Sequence, residues 1–427
     1  MPDNKTPVDP VAPVAAPSAK PALMSLDEAL ERLLAAAAQR TITECEEVPT
    51  LQALHRVLAE EVRSNLDVPP ADNSSMDGYA MRAADVPVVG TVLPMSQRIP
   101  AGVLGAPLAA GSVARIFTGA QIPPGADAVV MQEQCTAVND QRVRVDAVPL
   151  PGQWIRRRGE DIAFGSAVLT PGTLLTPQAM GLAASVGRSQ LKVLRRPRVA
   201  LFSTGDELAM PGEPLKPGGI YNSNRFTLTG LLQASGCEVK DLGIVPDQLE
   251  ATRLALRSAA EGVDLILTSG GVSVGEEDHL KPAMRLEGRL DLWQVAMKPG
   301  KPLAFGAVHR PDGSEALFVG MPGNPVSSFV TYLLTVAPLL RALQGRPESP
   351  PAGYQVRADF DWPRPDRRRE FLRVRLNDQG GADLFPNQSS GVLTSTVWAD
   401  GLVDVPALQP ISRGEMVRFL PLSALLG

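Results

Sequence analysis

The segment 196–345 constrains the fold most, because short apolar stretches alternate there with stretches of helical periodicity. Apolar stretches of this length predict buried strands. Strands that alternate with helices predict a parallel α/β sheet covered by helices on both faces. The predicted strands are 199–202, 238–245, 263–267, 292–297, 303–306 and 316–319. The predicted helices are 224–234 and 326–343, together with a helix that is capped by Asp247 and ends at Ala260.

The flanking sequence predicts a multidomain α/β plus β protein. Residues 67–161 lack a helical period and are rich in turn residues, which predicts an N-terminal β module. Residues 24–66 and 162–195 are predicted to form a helical linker domain, in which SLDEALERLLAAAAQ and TLQALHRVLAEEV have helical spacing. The α/β domain is predicted over 196–345, and alternating apolar residues in 346–427 predict a small C-terminal β-barrel.

Composition excludes several classes of protein. The net charge of −5 gives no general attraction to nucleic acid or to an anionic membrane surface, so an anionic ligand needs a local basic cluster. Three cysteines and three histidines, all widely spaced, form neither a disulfide framework nor a Cys/His zinc pattern. Residues 1–23 form a Pro/Ala tract typical of a disordered tail rather than of a signal peptide. We therefore predict a cytoplasmic protein with no membrane span.

Three predicted strands of the α/β domain end in polar loops. These are STGDEL at 203–208, TSGGVSVGEED at 268–278 and GMPGNP at 320–325. In a parallel sheet, ligands bind beyond the carboxyl ends of the strands, so the three loops are predicted to meet at one edge. The loops contain neither a Walker motif nor GxGxxG, and therefore predict a different kind of phosphate site.

The residues of these loops suit phosphate and a divalent cation. Gly270 and Gly271 let backbone N–H groups approach an anion, and Ser269 and Ser273 add hydroxyl donors. Carboxylates from different strand ends are the ligands expected for Mg²⁺ bound to phosphate, and capping of helices is the alternative role for such acids. The predicted metal ligands are Glu207 and Asp278.

Two proline-stiffened turns add further candidates. MKPGKP holds Lys298 and Lys301, whose ammonium groups can neutralise phosphate or another tetrahedral oxyanion, unless both are simply surface lysines. In GMPGNP, Pro322 and Pro325 fix the turn and leave Asn324 to bind or to cap.

Taken together, these motifs resemble those of the molybdopterin molybdenumtransferases, the MoeA family, which is related to the E domain of gephyrin. The resemblance extends from about Met24 to Pro421. It implies a homodimer of four-domain subunits, with each site between the α/β domain of one subunit and the β domain of its partner. The motifs occur in the order NSSMDGYA, FTGA, RRRGEDI, STGDEL, TSGGVSVGEED, MKPGKP and GMPGNP.

The same resemblance implies substrates, a cofactor and partners. The substrates are adenylylated molybdopterin and molybdate, and Mg²⁺-dependent cleavage releases AMP while molybdenum binds the dithiolene sulfurs. No Cys or His cage is then needed for molybdenum. The implied partners are the adenylyltransferase that makes the substrate and the molybdoenzymes that receive the product.

The resemblance also assigns roles residue by residue. Ser390 matches the family's C-terminal serine, although NQSSG departs from the usual glycine-serine-glutamine order. Gln294 stands where the family commonly has a basic residue, and Lys301 is the predicted replacement. The residues that match family site positions are Asp77, Thr118 and Asp161 in the β and linker regions, and Glu207, Asp247, Asp278, Lys298, Pro322 and Pro325 in the α/β domain.

Two alternatives remain open at this point. One is an adenylyltransferase that makes the substrate from molybdopterin and ATP. The other is a gephyrin-like scaffold that binds peptides through its barrel without turnover. Retained acidic and basic site residues favour an enzyme, since a scaffold has no chemical need for them.

Overall fold

The computed structural model describes residues 23–271, 279–346 and 350–426, so the predicted N-terminal tail lies outside the described residues. Two compact units are present. The β unit is Thr43–Arg195, and the core unit contains the described residues up to Ile42 and from Arg196 onward. The helical segment Pro325–Leu343 is long and apolar enough to cross a membrane, but 83% of its most apolar window is buried, as in the core helix of a globular domain.

Helix α1, Leu26–Ala38, forms where its sequence predicts it. The Oγ of Ser25 accepts a hydrogen bond from the Glu28 N–H at 3.0 Å, which caps the first turn. Leu26, Ala29, Leu33 and Ala37 form its buried face. This face packs into the apolar core of the core unit.

The β unit contains short strands around small apolar cores. Its strands are β1 (Cys45–Pro49), β2 (Val62–Arg63), β3 (Asn73–Ser74), β4 (Gly78–Met81), β5 (Thr91–Ile99), β6 (Val113–Ile116), β7 (Ala128–Met131), β8 (Cys135–Asn139), β9 (Arg142–Val145), β10 (Ile155–Arg156), β11 (Ala167–Leu169) and β12 (Gln190–Leu194). Its helix is α2 (Pro177–Ser185). The main sheet has the order β7-β4-β6-β5-β9-β8.

The second helix predicted from TLQALHRVLAEEV is wrong. Only Thr50–Gln52 is helical, as a 3-10 turn. His55 has a backbone φ of 60°, which a continuing right-handed helix does not allow. Val57 and Leu58 then form bridges with other segments of the β unit. Burial of these apolar residues by tertiary pairing overrides the helical spacing of the sequence.

The core unit contains the predicted α/β sheet. Its elements are β13 (Arg198–Thr204), β14 (Leu208–Ala209), β15 (Ile220–Tyr221), α3 (Ser223–Ala234), β16 (Glu238–Val245), α4 (Leu249–Ala260), β17 (Leu265–Ser269), α5 (Leu280–Glu287), β18 (Gly288–Gln294), β19 (Met297–Lys298), β20 (Pro302–His309), β21 (Glu315–Met321), α6 (Pro325–Thr331), a π-helical turn (Tyr332–Val336) and α7 (Ala337–Leu343). One sheet face packs against α1, α3, α6 and α7, and the other against α4 and α5.

The sheet has the order β16-β13-β17-β21-β20-β18. The first four strands are parallel, whereas β20 and β18 pair in antiparallel fashion. The β20-β18 edge of the sheet is therefore antiparallel. The link from β20 to β21 is too short for the crossover helix that parallel pairing needs.

A closed five-stranded barrel follows. Its elements are β22 (Tyr354–Ala358), β23 (Arg369–Leu376), β24 (Gly381–Leu384), α8 (Thr394–Trp398), β25 (Gly401–Val405), β26 (Met416–Pro421) and α9 (Leu422–Leu426). The ring β23-β24-β22-β26-β25 closes through the pairing of β25 with β23. Strand β19 pairs in parallel with β23, which fixes the MKPGKP turn against the barrel.

Candidate active site

Three adjacent strand ends build one wall of a cleft in the core unit. Strands β13, β17 and β21 are parallel neighbours, and Ser269 is in register with both Ser203 and Met321. The first residues of the loops that follow these strands therefore lie side by side, as the sequence predicts. The cleft has a volume of about 1060 Å³, which is at the upper end of the roughly 300–1,000 Å³ typical of small-molecule sites.

The opposite wall comes from the MKPGKP turn and the barrel. Lys298 and Lys301 line the cleft, and so do Arg368 and the segment 388–391. This segment, which contains Ser390, is fixed at the start of α6 because the Ser390 carbonyl accepts a hydrogen bond from the Val326 N–H at 3.0 Å.

The predicted residues of the α/β domain are largely brought together. Asp278 and Ser273 lie outside the described residues. The predicted residues that line the cleft are Glu207, Asp247, Ser269, Gly270, Gly271, Lys298, Lys301, Pro322, Asn324, Pro325 and Ser390.

The two glycines serve packing as well as ligand approach. Gly270 has a φ of 89°, and a Cβ there would lie 2.8 Å from the carbonyl oxygen of Thr204. At Gly271, φ is 69° and the Cβ would lie 2.8 Å from the Thr204 hydroxyl. Any other residue would both strain the backbone and push the β13 and β17 loops apart.

Asn224 joins two of the three loops, although the sequence analysis did not select it. Its Nδ2 donates to the Ser269 Oγ and to the Gly323 carbonyl, both at 2.7 Å. Nearby, Asn222 is 2% exposed and caps α3 by accepting a hydrogen bond from the Arg225 N–H at 3.1 Å. The Nδ2 of Asn222 has no hydrogen-bond partner among the described residues. The polar run YNSNRF at the start of a predicted helix is the sequence pattern that could have identified both residues.

Lys298 is held by acidic residues of the barrel. Its Nζ lies 2.9 Å from the Glu370 Oε1 and 3.6 Å from the Asp366 Oδ2. Arg368 forms an ion pair with Asp366 at 2.9 Å and holds the pKa of that carboxyl well below its usual range. Lys301 has no ion pair within the ranges that the structure describes. Among the described residues, the cleft is therefore lined by two cations in an ion-pair network, Lys298 and Arg368, and by Lys301, which has no ion pair.

The acidic residues of the cleft come from two loops. Glu207 and Asp247 both line it. Asp247 was predicted to cap α4, but Gln248 occupies the N-cap position. The Asp247 N–H instead donates to the Asp206 Oδ1 at 3.3 Å, and Asp247 is one of the residues that line the cleft. Within residues 23–271, 279–346 and 350–426, no group of three or more His, Cys, Asp or Glu is close enough to hold a metal.

In the β unit, the MDGYA and FTGA motifs meet through one carboxylate. The Asp77 Oδ1 accepts hydrogen bonds from the Thr118 N–H at 2.8 Å and from the Thr118 hydroxyl at 2.7 Å. The backbone N–H contributes most to lowering the pKa of Asp77, followed by the hydroxyl. Asp77 is exposed.

The RRRGEDI loop lies against the same turn. Arg157 and Arg158 form ion pairs with Asp72 and Asp67 at 2.7 and 2.6 Å. Strand β10 also pairs with β3. Asp161, at the end of this loop, is exposed and donates its N–H to the Val68 carbonyl. Arg157 and Arg158 are therefore paired with local carboxylates. The MDGYA, FTGA and RRRGEDI motifs lie next to one another in the β unit.

Comparison with known proteins identifies the family of this chain. The chain matches the family models for the MoeA N-terminal region (domain I and II) over residues 24–187, a probable molybdopterin binding domain over 200–342, and the MoeA C-terminal region (domain IV) over 355–422. The molybdopterin molybdenumtransferase of Haemophilus influenzae is 38% identical over 411 residues, which cover 95% of this chain and 100% of that protein.

Two further proteins are similar to this chain over most of their length. The molybdopterin molybdenumtransferase of Synechococcus elongatus is 38% identical over 400 residues, covering 91% of this chain and 96% of that protein. The solved molybdopterin biosynthesis moeA protein of Pyrococcus horikoshii is 29% identical, with a TM-score of 0.79 and coverage of 94% of this chain and 100% of that chain. The fold, the cleft and these matches show that this chain belongs to the MoeA family.

Proposed function

We propose that this protein is a molybdopterin molybdenumtransferase, which inserts molybdenum from molybdate into adenylylated molybdopterin and releases AMP. Its family membership supports the transfer of molybdenum to molybdopterin. The observation that carries the finer reaction is a large cleft that combines a double-glycine strand end with two lysines and an arginine. Such a cleft suits a ligand with several anionic groups.

The described residues have distinct roles in this reaction. Gly270 and Gly271 let backbone N–H groups approach the pyrophosphate of the substrate. Lys298, Lys301 and Arg368 balance the charges of pyrophosphate and molybdate, which the protein's overall charge of −5 opposes. Cleavage of the phosphoanhydride by water gives AMP and leaves the phosphate on molybdopterin.

Mg²⁺ fits the donor set of the cleft. Glu207 and Asp247 line the cleft, and Mg²⁺ takes one or two carboxylates together with phosphate oxygens and water. Glu207 and Asp278 are the residues we propose to hold it. When bound, Mg²⁺ would neutralise charge on the leaving phosphate.

We also propose a cytoplasmic homodimer in which Asp77, Thr118 and Asp161 of one subunit complete the cleft of the other. The acidic motifs support this, because they fall in two separate units of the chain. The adenylyltransferase that supplies the substrate and the molybdoenzymes that accept the product are the proposed partners.

The decisive experiment is AMP release from adenylylated molybdopterin with and without molybdate. We expect release that depends on Mg²⁺ and on molybdate concentration, together with molybdenum bound to the pterin product. Consumption of ATP with release of pyrophosphate would instead identify an adenylyltransferase. Binding of the substrate without turnover under any condition would identify a scaffold.

A further inference from the structure

Glu370 is a buried carboxylate in the barrel strand β23, and the roles proposed above do not account for it. It is 1% exposed. A buried carboxylate without a counter-charge is costly, and a well-packed apolar side chain is often at least as stabilising as a buried ion pair. Its placement at this position therefore needs a reason other than stability of the barrel.

The two oxygens of Glu370 have different surroundings. Oε2 accepts hydrogen bonds from the Trp362 Nε1 at 2.9 Å and from the Asp366 N–H at 2.8 Å. Oε1 lies 2.9 Å from the Lys298 Nζ, but no donor in the described chain is aligned to give it a hydrogen bond. The contact with Lys298 is therefore mainly an attraction between charges, and among the described residues Lys298 is the cation that pairs with Glu370.

The backbone fixes the distance between these two residues. Strands β19 and β23 pair in parallel, with Lys298 opposite Glu370 and Met297 opposite Arg369. The side chain of Lys298 is 39% exposed and lines the cleft, whereas Glu370 lies behind it in the barrel. A flexible lysine is thus attached at its charged end to a rigid element.

We propose that Glu370 is a positioning residue, which holds the Lys298 ammonium at the cleft wall so that a tetrahedral oxyanion meets it already in place. This proposal rests on the proposed function, because molybdate is the oxyanion concerned. Without Glu370 the lysine would have to be ordered during binding. Ordering one long side chain weakens binding by about 3- to 10-fold.

The test is the dependence of AMP release on molybdate concentration in Glu370→Gln. The amide oxygen of Gln can still accept hydrogen bonds from Trp362 and from the Asp366 N–H, while the negative charge is lost. We expect the KM for molybdate to rise about 3- to 10-fold, with kcat changed less. Glu370→Asp keeps the negative charge but places it farther from Lys298, so the KM for molybdate should rise less. This variant replaces Glu370→Gln in the test if Glu370→Gln does not fold.

The matched control is Asp404→Asn. Asp404 is also a buried carboxylate of the barrel, 7% exposed, but it pairs with Arg369 at 2.6 Å and does not line the cleft. A general loosening of the barrel would raise the molybdate KM in both variants. A rise in Glu370→Gln alone supports positioning.

A double substitution separates the roles further. If Glu370 acts through Lys298, adding Glu370→Gln to Lys298→Met causes no additional rise in the molybdate KM. An additional rise of the same size as in the single variant would overturn the proposal, as would an unchanged KM in folded Glu370→Gln. A wild-type protein that does not respond to molybdate at all would instead refute the proposed function.

Discussion

At the scale of single residues, the pairing of Lys298 with Glu370 links the cleft to the interior of the barrel. The acid is 1% exposed, so its charge depends on the lysine for compensation. We therefore expect Lys298 to contribute to stability as well as to the proposed binding of the oxyanion.

We predict that Lys298→Ala lowers the free energy of unfolding by about 1–3 kcal/mol, because it leaves the Glu370 carboxylate without its cation. Chemical denaturation measures this loss, and adding Glu370→Gln should recover part of it. Molybdate-dependent AMP release should fall roughly 10- to 150-fold. Lys298→Arg should keep the stability but only part of the activity, since a guanidinium has a different shape.

Lys192→Ala is the control for loss of a lysine charge. Lys192 is exposed on strand β12 of the β unit, and its replacement should change stability by no more than about 0.5 kcal/mol. Stability of Lys298→Ala equal to that of the control would show that the ion pair does not stabilise the fold.

Asp77 gives a prediction about pH. The Thr118 N–H and hydroxyl lower its folded-state pKa below the ordinary 3.8. A lowered pKa means that the charged form is favoured by folding, so the contact stabilises fully above pH 3.8 and is lost as the pH falls through the folded-state pKa. The difference in Tm between wild type and Asp77→Asn should therefore be larger at pH 6 than at pH 3. A difference that grows on acidification would contradict this assignment.

At the scale of elements, three parallel strands bring their loops together, and close backbone packing keeps them there. Gly270 allows the β17 loop to lie against the end of β13, where a Cβ would meet the Thr204 carbonyl at 2.8 Å. Asn224 on α3 then bonds the β17 and β21 loops at once. The shape of the cleft therefore depends on contacts between loops rather than on any loop alone.

We predict that Gly270→Ala destabilises the protein more than Gly313→Ala does. Both glycines have positive φ, 89° and 82°, so both variants incur the backbone strain of about 1–3 kcal/mol. A Cβ at Gly313 meets no atom within 4 Å, whereas a Cβ at Gly270 meets the Thr204 carbonyl. Thermal unfolding compares the two, and only Gly270→Ala should also raise the KM for adenylylated molybdopterin. Equal losses of stability in the two variants would show that the close approach of Gly270 to the Thr204 carbonyl is not needed.

At the scale of the whole molecule, candidate site residues lie in two compact units. Asp77 and Thr118 lie in the β unit, and Glu207 and Lys298 lie in the core unit. Both sets belong to motifs that the sequence analysis assigned to a single active site. The proposed site shared between two subunits would combine both sets of residues.

We predict that inactive Asp77→Asn chains and inactive Glu207→Gln chains regain activity when they are mixed and allowed to exchange subunits. Each mixed dimer would contain one site without either substitution. About half of the dimers in an equal mixture should be mixed, by random pairing, and each should have one working site. Mass spectrometry verifies the mixed dimers. Mixed dimers that stay inactive would refute the shared site.

Local sequence patterns predict many of the elements and the motifs that line the cleft. Alternation and turn residues located the strand 238–245 and the buried helix that follows GMPGNP, because period and length depend on local spacing alone. The glycines, lysines and prolines of the cleft were identified for the same reason, since short motifs place unusual residues at strand ends.

The pairing of residues that are distant in the sequence depends on the tertiary structure and is not visible in local patterns. Glu370 lies within an ordinary alternating strand, REFLRVRL, and nothing in that pattern indicates that it faces Lys298. TLQALHRVLAEEV has helical spacing but is divided by the left-handed backbone at His55, because its apolar residues are buried against other segments. Local spacing fixes what a segment can form alone, whereas burial and charge compensation depend on neighbours that the fold brings from elsewhere in the chain.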